Sequence, residues 1–451
     1  MYLADRGSAP SASAAPGGRR AVPDRRPGRR AGSALPSAVL VLGTVSLITD
    51  ISSEMVTAVL PLYLVAELGL SPLGFGVLDG VYNGVSALVR LVGGRLSDRG
   101  GGSGHKAVAV VGYGLSALCK PLLLMVHSLP LIGAVLAVDR TGKGLRTAPR
   151  DAMISLAAEP GARGRAFGVH RAMDTAGALC GPLVAFVLLR AAADGYDAVF
   201  TVSFCVAVVG VAVLLLFVPR RATTATEGTG AAGPAEDAAE TAPAGPRAPV
   251  RALLGRPEVR RLTGCAVLLG LTTLSDSFLY LTLQRRLDLP GTWFPLLPLG
   301  TAAVFLLLAV PLGAIADRIG RRRLFVAGHL ALLCAYGLLL VPSTGGAALV
   351  CAVLALHGSF YAATDGVLAA ATADAVPENV RGSGLAVVQT GQTAARFVCS
   401  IAFGAVWTAW GDHTAVLAAT VGLALAAAVS ARLLRRAGTP PSLASPSEQA
   451  S

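Results

Sequence analysis

Between residues 38 and 434 the chain is a succession of about twelve apolar runs, each close to the ~20 residues needed to cross ~30 Å of hydrocarbon. They fall at 38–66, 74–97, 107–127, 129–148, 166–190, 197–218, 259–284, 293–316, 323–342, 346–372, 382–408 and 413–434. Lipid offers no partner to a backbone N–H or C=O, so each run must be helical. The expected fold class is therefore an all-α integral membrane protein with twelve transmembrane helices.

Composition agrees with a lipid solvent. Apolar residues make up 53% of the chain and charged residues only 14%, against about a quarter charged in soluble domains. Mean hydropathy is +0.63. Abundant Gly and Ala let helices approach closely. The formal charge of +12 does not indicate nucleic-acid binding, because the Arg and Lys residues sit at the ends of apolar runs, where they orient helices. The expected partners are the bilayer and a small-molecule substrate, with the chain a monomer. The seven cysteines stand singly in apolar segments, without Cys-x-x-Cys or other metal-ligand spacing. No metal site and no cofactor are implied.

Three stretches interrupt this pattern: residues 1–36, rich in Ala, Gly, Pro, Ser and Arg, residues 220–258, and residues 437–451. None can build a core, so they read as a disordered tail, a polar linker and a second tail. They leave two helical blocks at 37–219 and 259–436. The blocks repeat one another. Gly94-Arg95-Leu96-Ser97-Asp98-Arg99 has a second copy at Gly313-Ala314-Ile315-Ala316-Asp317-Arg318, each followed by basic residues. Leu47 to Ser53 resembles Leu271 to Ser277, and Glu159 to Gly168 resembles Pro377 to Ala386. The order is conserved across the matches, so two pseudo-symmetric six-helix bundles are expected. Basic residues alternate from connection to connection, which places both termini and the linker on the cytoplasmic side of the cell membrane.

Ionisable residues at membrane depth are costly and default to functional candidates. The first block holds Asp50 and Glu54 on one helix face, Arg90, Lys120, Asp139 and Arg140, and further along Lys143, Arg146, Arg150, Asp151, His170, Arg171 and Asp174. The group from Arg146 to Arg171 reads as a salt-bridge cluster toward the cytoplasm. The second block is sparser, with Asp276, His357, Asp365 and Arg396; Gln389 and Gln392 offer hydrogen bonds to a substrate. A carboxylate in a dry cavity holds its proton more firmly, and a nearby guanidinium opposes that, so alternating hydration can load and release a proton. No phosphate-binding loop, nucleophile elbow or metal spacing is present, and the chain does not read as an enzyme.

Twelve spans, a long central linker and two Gly-x-x-x-Asp-Arg hairpins resemble the major facilitator superfamily over about 38–434. The resemblance implies a cytoplasmic gate at Gly94, Asp98, Arg99, Gly313, Asp317 and Arg318, where a carboxylate at a helix N-terminus pairs with an Arg. It implies a central cavity lined by the first and fourth helices, which favours Asp50, Glu54, Asp139 and Arg140. In the fifth helix Gly177, Gly181 and Pro182 are similar to the antiporter motif of that family, with Ala185 in its last position. In the fourth, Arg140 and Gly144 match a further motif, with Arg146 where a glycine is usual. The implied function is secondary active transport by alternating access: proton-coupled efflux of small organic molecules, with uptake of an organic anion or nutrient by symport, or a transporter-like sensor, as alternatives. The proton gradient would be the energy source.

Overall fold

The structure, a computed structural model, describes residues 36–99, 101–158, 163–218, 250–341, 346–365, 367–376 and 381–435. Side chains at 86–88, 90–104, 148, 163, 250–252, 317, 369–370, 373, 381–383 and 435 are outside the description. The two tails and most of the linker therefore also lie outside the described residues.

The described chain is helical. Its elements are α1 (Ser37–Leu62), which runs on into a π-helical turn at Tyr63–Glu67, α2 (Pro72–Arg99), α3 (Gly101–Met125), α4 (Leu129–Ala157), α5 (Arg163–Ala191) and α6 (Gly195–Phe217). Then come α7 (Val250–Gly255), α8 (Pro257–Gly270), α9 (Asp276–Leu287), α10 (Leu296–Ile319), α11 (Arg321–Leu340), α12 (Gly346–Thr364), α13 (Val367–Ala375) and α14 (Arg381–Arg435). The π turn follows Pro61, which lacks the N–H that would continue the regular ladder. At 55 residues, α14 would measure about 80 Å if straight. It bends at Gly411, whose φ of 85° and ψ of 169° suit only glycine.

Among the described residues, eight helices are long and apolar enough to cross a membrane. Four of the expected twelve runs are not separately among them. α4 carries too many charges, and the second half of α2 lies among the side chains outside the description. The run at 259–284 is broken between α8 and α9, and the two runs after 381 form one bent helix. The run at 346–372 is likewise broken, between α12 and α13. The first break ends at Ser275, whose hydroxyl accepts the Phe278 N–H at 3.5 Å and so starts α9. Its counterpart in the first block, Leu47 to Ser53, stays helical inside α1, so the copies have diverged here.

Glycines bring the helices close enough for polar side chains to meet. A Cβ on Gly177 would stand 2.5 Å from the Leu47 carbonyl, and one on Gly181 2.8 Å from the Ile51 carbonyl, so α5 rests directly on α1. Gly112 and Gly142 meet the same way where α3 crosses α4, a Cβ on either falling 2.6–2.7 Å from the other's carbonyl. Gly142 and Gly144 therefore serve packing, with Gly144 against Val89 of α2. The two blocks meet along α2 and α14, where Gly76 lies against the Ser400 carbonyl and Gly404 against the Pro72 carbonyl. Phe75, Phe278 and Phe403 fill this junction, with ring centroids 4.8–5.0 Å apart. Lys106, expected within the displaced basic cluster of the first hairpin, instead reaches α6. Its Nζ donates to the Leu215 carbonyl at 3.0 Å and to the Val218 carbonyl, so a cation closes the negative end of that helix.

Candidate functional site

On α4, Asp139, Lys143, Arg146 and Arg150 recur at intervals of three or four and so share one face. Ser46, Asp50 and Glu54 do the same on α1. The two faces meet as a ladder. Arg150 Nη1 donates to Ser46 Oγ at 3.1 Å, Arg146 Nη2 to Asp50 Oδ1 at 3.3 Å, and Lys143 Nζ to Glu54 Oε1 at 3.1 Å. The α5 glycines sit on this stretch of α1: Gly177 beside Asp50, Gly181 beside Glu54. From α5 comes Asp174, which accepts from Arg150 Nη1 at 3.3 Å. Its negative charge lies close enough to bear on Asp50. Two carboxyl groups from different helices thus face each other between two guanidinium groups of α4.

A second cluster lies beside the ladder. Asp139 accepts from Arg140 Nη2 at 2.6 Å and from the Ser116 hydroxyl, and Lys120 Nζ stands 3.8 Å away. The Arg140 guanidinium lies 3.9 Å from the Tyr82 ring centroid. Asp139, Arg140 and Lys120 are all buried. Part of the expected salt-bridge cluster forms: Arg150 also meets Asp151 at 3.2 Å, and Arg171 lies 3.9 Å from Asp174, whereas Arg146 turns to Asp50. His170 is buried with neither ring nitrogen bonded.

The second block is built differently. Asp276 is the first residue of α9, where the helix N-terminus favours a carboxylate. Its Oδ1 accepts from the Tyr361 hydroxyl at 2.6 Å and lies 3.1 Å from His357 Nε2. His357 is 1% exposed but Asp276 is 43% exposed, so the acid opens onto solvent space from a buried partner. Nearby, a cavity of about 90 Å³ is lined by Tyr361, Thr364, Asp365, Gln389, Gln392 and Arg396, among others. The two glutamines thus line a cavity.

The structure brings Asp50, Glu54, Lys120, Asp139, Arg140 and Asp174 together in the first block and leaves Asp276, Gln389 and Gln392 in the second. The Arg90, Asp98, Arg99 and Asp317 side chains lie outside the described residues, as does the Gly94 environment. Arg318 is exposed and lines a cavity of about 1040 Å³ with Arg321, Arg322, Arg323 and Asp374. Around Gly313 nothing lies within 4 Å of an added Cβ, so close packing does not require this glycine. Sequence reasoning misses Asp79. It is buried on α2 and accepts from the Ser400 hydroxyl at 2.7 Å, across the junction of the two blocks. The signal is there: Asp79 is an acid inside the apolar run 74–97.

Comparison with known proteins agrees with this architecture. Residues 42–310 and 294–451 match the family description of the Major Facilitator Superfamily. An uncharacterized MFS-type transporter of Methanocaldococcus jannaschii is 27% identical over 405 residues, covering 86% of this chain and 94% of the relative. An uncharacterized protein of Mycobacterium tuberculosis is 35% identical over 158 residues, 35% of this chain and 38% of the relative. In fold, the chain is similar to the nucleoside transporter NupG, with a TM-score of 0.72, 12% identity, and coverage of 88% of this chain and 99% of that one. It is similar also to a POT family transporter in complex with 5-aminolevulinic acid, with a TM-score of 0.70, 13% identity, and coverage of 90% and 97%.

Proposed function

The chain belongs to the major facilitator superfamily, and from that premise we propose that it is a proton-coupled antiporter exporting small organic molecules by alternating access. Transport across a membrane, without enzymatic chemistry, is common ground of the family match and the relatives. Coupling, direction and substrate are the proposal. In it the chain is a monomer that makes twelve crossings of the cell membrane and keeps its termini and linker in the cytoplasm.

The observation that carries the coupling is that Arg146 meets Asp50 and Arg150 meets Asp174, two acids of different helices held side by side on one face of α4. With a proton on the pair, one negative charge faces two cations. Without it, two do, and each carboxylate draws toward its own guanidinium. Adding or removing one proton therefore changes how firmly α1 and α5 are held to α4. That is a switch on the helices which the family resemblance places around the cavity. Direction rests on Gly177, Gly181 and Pro182, which seat α5 on α1 at this pair. Uptake of an organic anion draws on Arg90, Lys120, Arg140 and Lys143 in the first block; of these, Lys120 and Arg140 share Asp139 and Lys143 meets Glu54, which offsets two of the positive charges. The test is proton flux in proteoliposomes across a panel of compounds. Export should acidify one side in step with substrate, and Asp50→Asn or Asp174→Asn should abolish gradient-driven flux while keeping substrate exchange. Concentrative transport in both variants would sink the assignment.

A further inference from the structure

Arg396 is a half-buried cation with no carboxylate within 4 Å among the described residues, its charge reaching Asp276 only from farther off. It projects from α14 into the cavity of about 90 Å³, and its Nε is buried without a hydrogen-bond partner. A charged donor left in that state costs more than a neutral one, so the site favours whatever supplies an acceptor. On the wall of the same cavity is Asp365, an exposed side chain in the break between α12 and α13. Among the described residues neither Asp365 nor Arg396 forms an ion pair, with the other or with anything else. Their neighbours are the hydroxyl of Thr364 and the primary amides of Gln389 and Gln392, groups that donate and accept. All the buried cations of the α1–α4 ladder and the Asp139 cluster, by contrast, have carboxylates.

We propose that this cavity binds the head group of a small zwitterion, with a substrate carboxylate on Arg396 and a substrate ammonium on Asp365. An anion alone would leave Asp365 facing it with like charge. A cation alone would leave Arg396 unmet. A ligand carrying both charges answers both side chains. The two glutamines bridge the intervening polar atoms. The volume holds a head group rather than a drug-sized molecule, so the remainder of the substrate extends beyond it. This rests on the transporter reading, since it names the substrate class.

Binding to the purified full-length chain, read as the shift in its thermal unfolding midpoint, tests the idea without any flux measurement. The probes are β-alanine, 4-aminobutyrate and 5-aminopentanoate, each with its matched plain acid and plain amine. At least one amino acid should bind about tenfold tighter than both of its matched partners. Arg396→Gln should reduce that compound to the level of its amine, and Asp365→Asn to the level of its acid. Arg396→Lys, which keeps the charge, should keep the ranking and guards against a variant that merely misfolds. If no zwitterion outbinds its acid and amine, or if the ranking survives both neutral variants, the proposal is wrong. Loss of the ranking with flux intact removes this inference alone. Ranking intact with no flux in proteoliposomes removes the transport reading instead.

Discussion

The two blocks descend from one pattern, yet they handle buried charge in opposite ways. In the first, Lys120, Arg140, Lys143, Arg146 and Arg150 each meet a carboxylate within 4 Å, on helices without breaks. In the second, the helices break at 271–275 and after Thr364, and acids stand at both breaks. Among the described residues Asp276 meets a histidine and a tyrosine, with the charge of Arg396 farther off, and neither Asp365 nor Arg396 has an ionic partner within 4 Å. Paired charges in low dielectric add little net stability, but they fix which helix faces which. Unpaired ones at helix breaks leave polar capacity for a ligand. The first block is thus arranged to hold and switch its own helices, the second to offer groups to something else.

The largest test of that contrast is the loss of one acid from each block. Asp139→Asn leaves Lys120 and Arg140 buried without a counter-charge and should cost about 3–5 kcal/mol. Asp276→Asn removes an acceptor that is partly solvated and whose neighbours are His357 and Tyr361, and should cost about 1–2 kcal/mol. Denaturation of both purified variants in one detergent measures the difference. Equal losses would mean that the blocks are not specialised in this way.

A middle-sized effect concerns what brings the paired charges together. Gly181→Val puts a branched side chain against the Ile51 carbonyl and the Glu54 Cβ, an overpacking worth about 1–3 kcal/mol. Gly313→Ala, where an added Cβ meets nothing within 4 Å, should be neutral or stabilising by up to about 1 kcal/mol. If Gly181→Val is also neutral, the α1–α5 approach is looser than the ladder requires, and the motif at Gly177 to Pro182 loses its packing explanation.

Much of this was legible in the sequence because one rule, that charge in an apolar run is costly, reaches every buried acid and base. It finds Asp50, Glu54, Asp139, Arg140 and Asp174. Spacing on one helix cannot say which helix faces it, so the rungs Asp50–Arg146 and Glu54–Lys143 needed coordinates. The same rule applies to Asp79, but its partner is an ordinary serine some 320 residues away, which no spacing in the sequence points to. The helix breaks were hidden for another reason. Leu271 to Ser275 contains neither Pro nor Gly, and the corresponding stretch of α1 remains helical, so only tertiary context separates them. The gate residues are legible as a motif, but their acidic side chains lie outside the described residues.

The smallest expected effect asks whether the junction between blocks is a different kind of contact from those within them. Two serine hydrogen bonds are comparable in strength. Ser400 donates to Asp79 at 2.7 Å from one block to the other. Ser203 and Ser52 bond each other inside the first block, their hydroxyls 3.0 Å apart. Losing either should cost about 1 kcal/mol. For Ser203→Ala that loss falls on folding. For Ser400→Ala it falls on the equilibrium between conformations with this junction closed and open, because only the closed one makes the bond. A change of about 1 kcal/mol moves that ratio roughly fivefold. Spin labels on cysteines at Ser71 and Trp410, both exposed beside the junction, report it in an otherwise cysteine-free chain. Ser400→Ala should raise the population at longer distance, and Ser203→Ala should leave the distribution unchanged. If both variants, or neither, shift it, the α2–α14 contact is ordinary packing and the blocks do not separate there during transport.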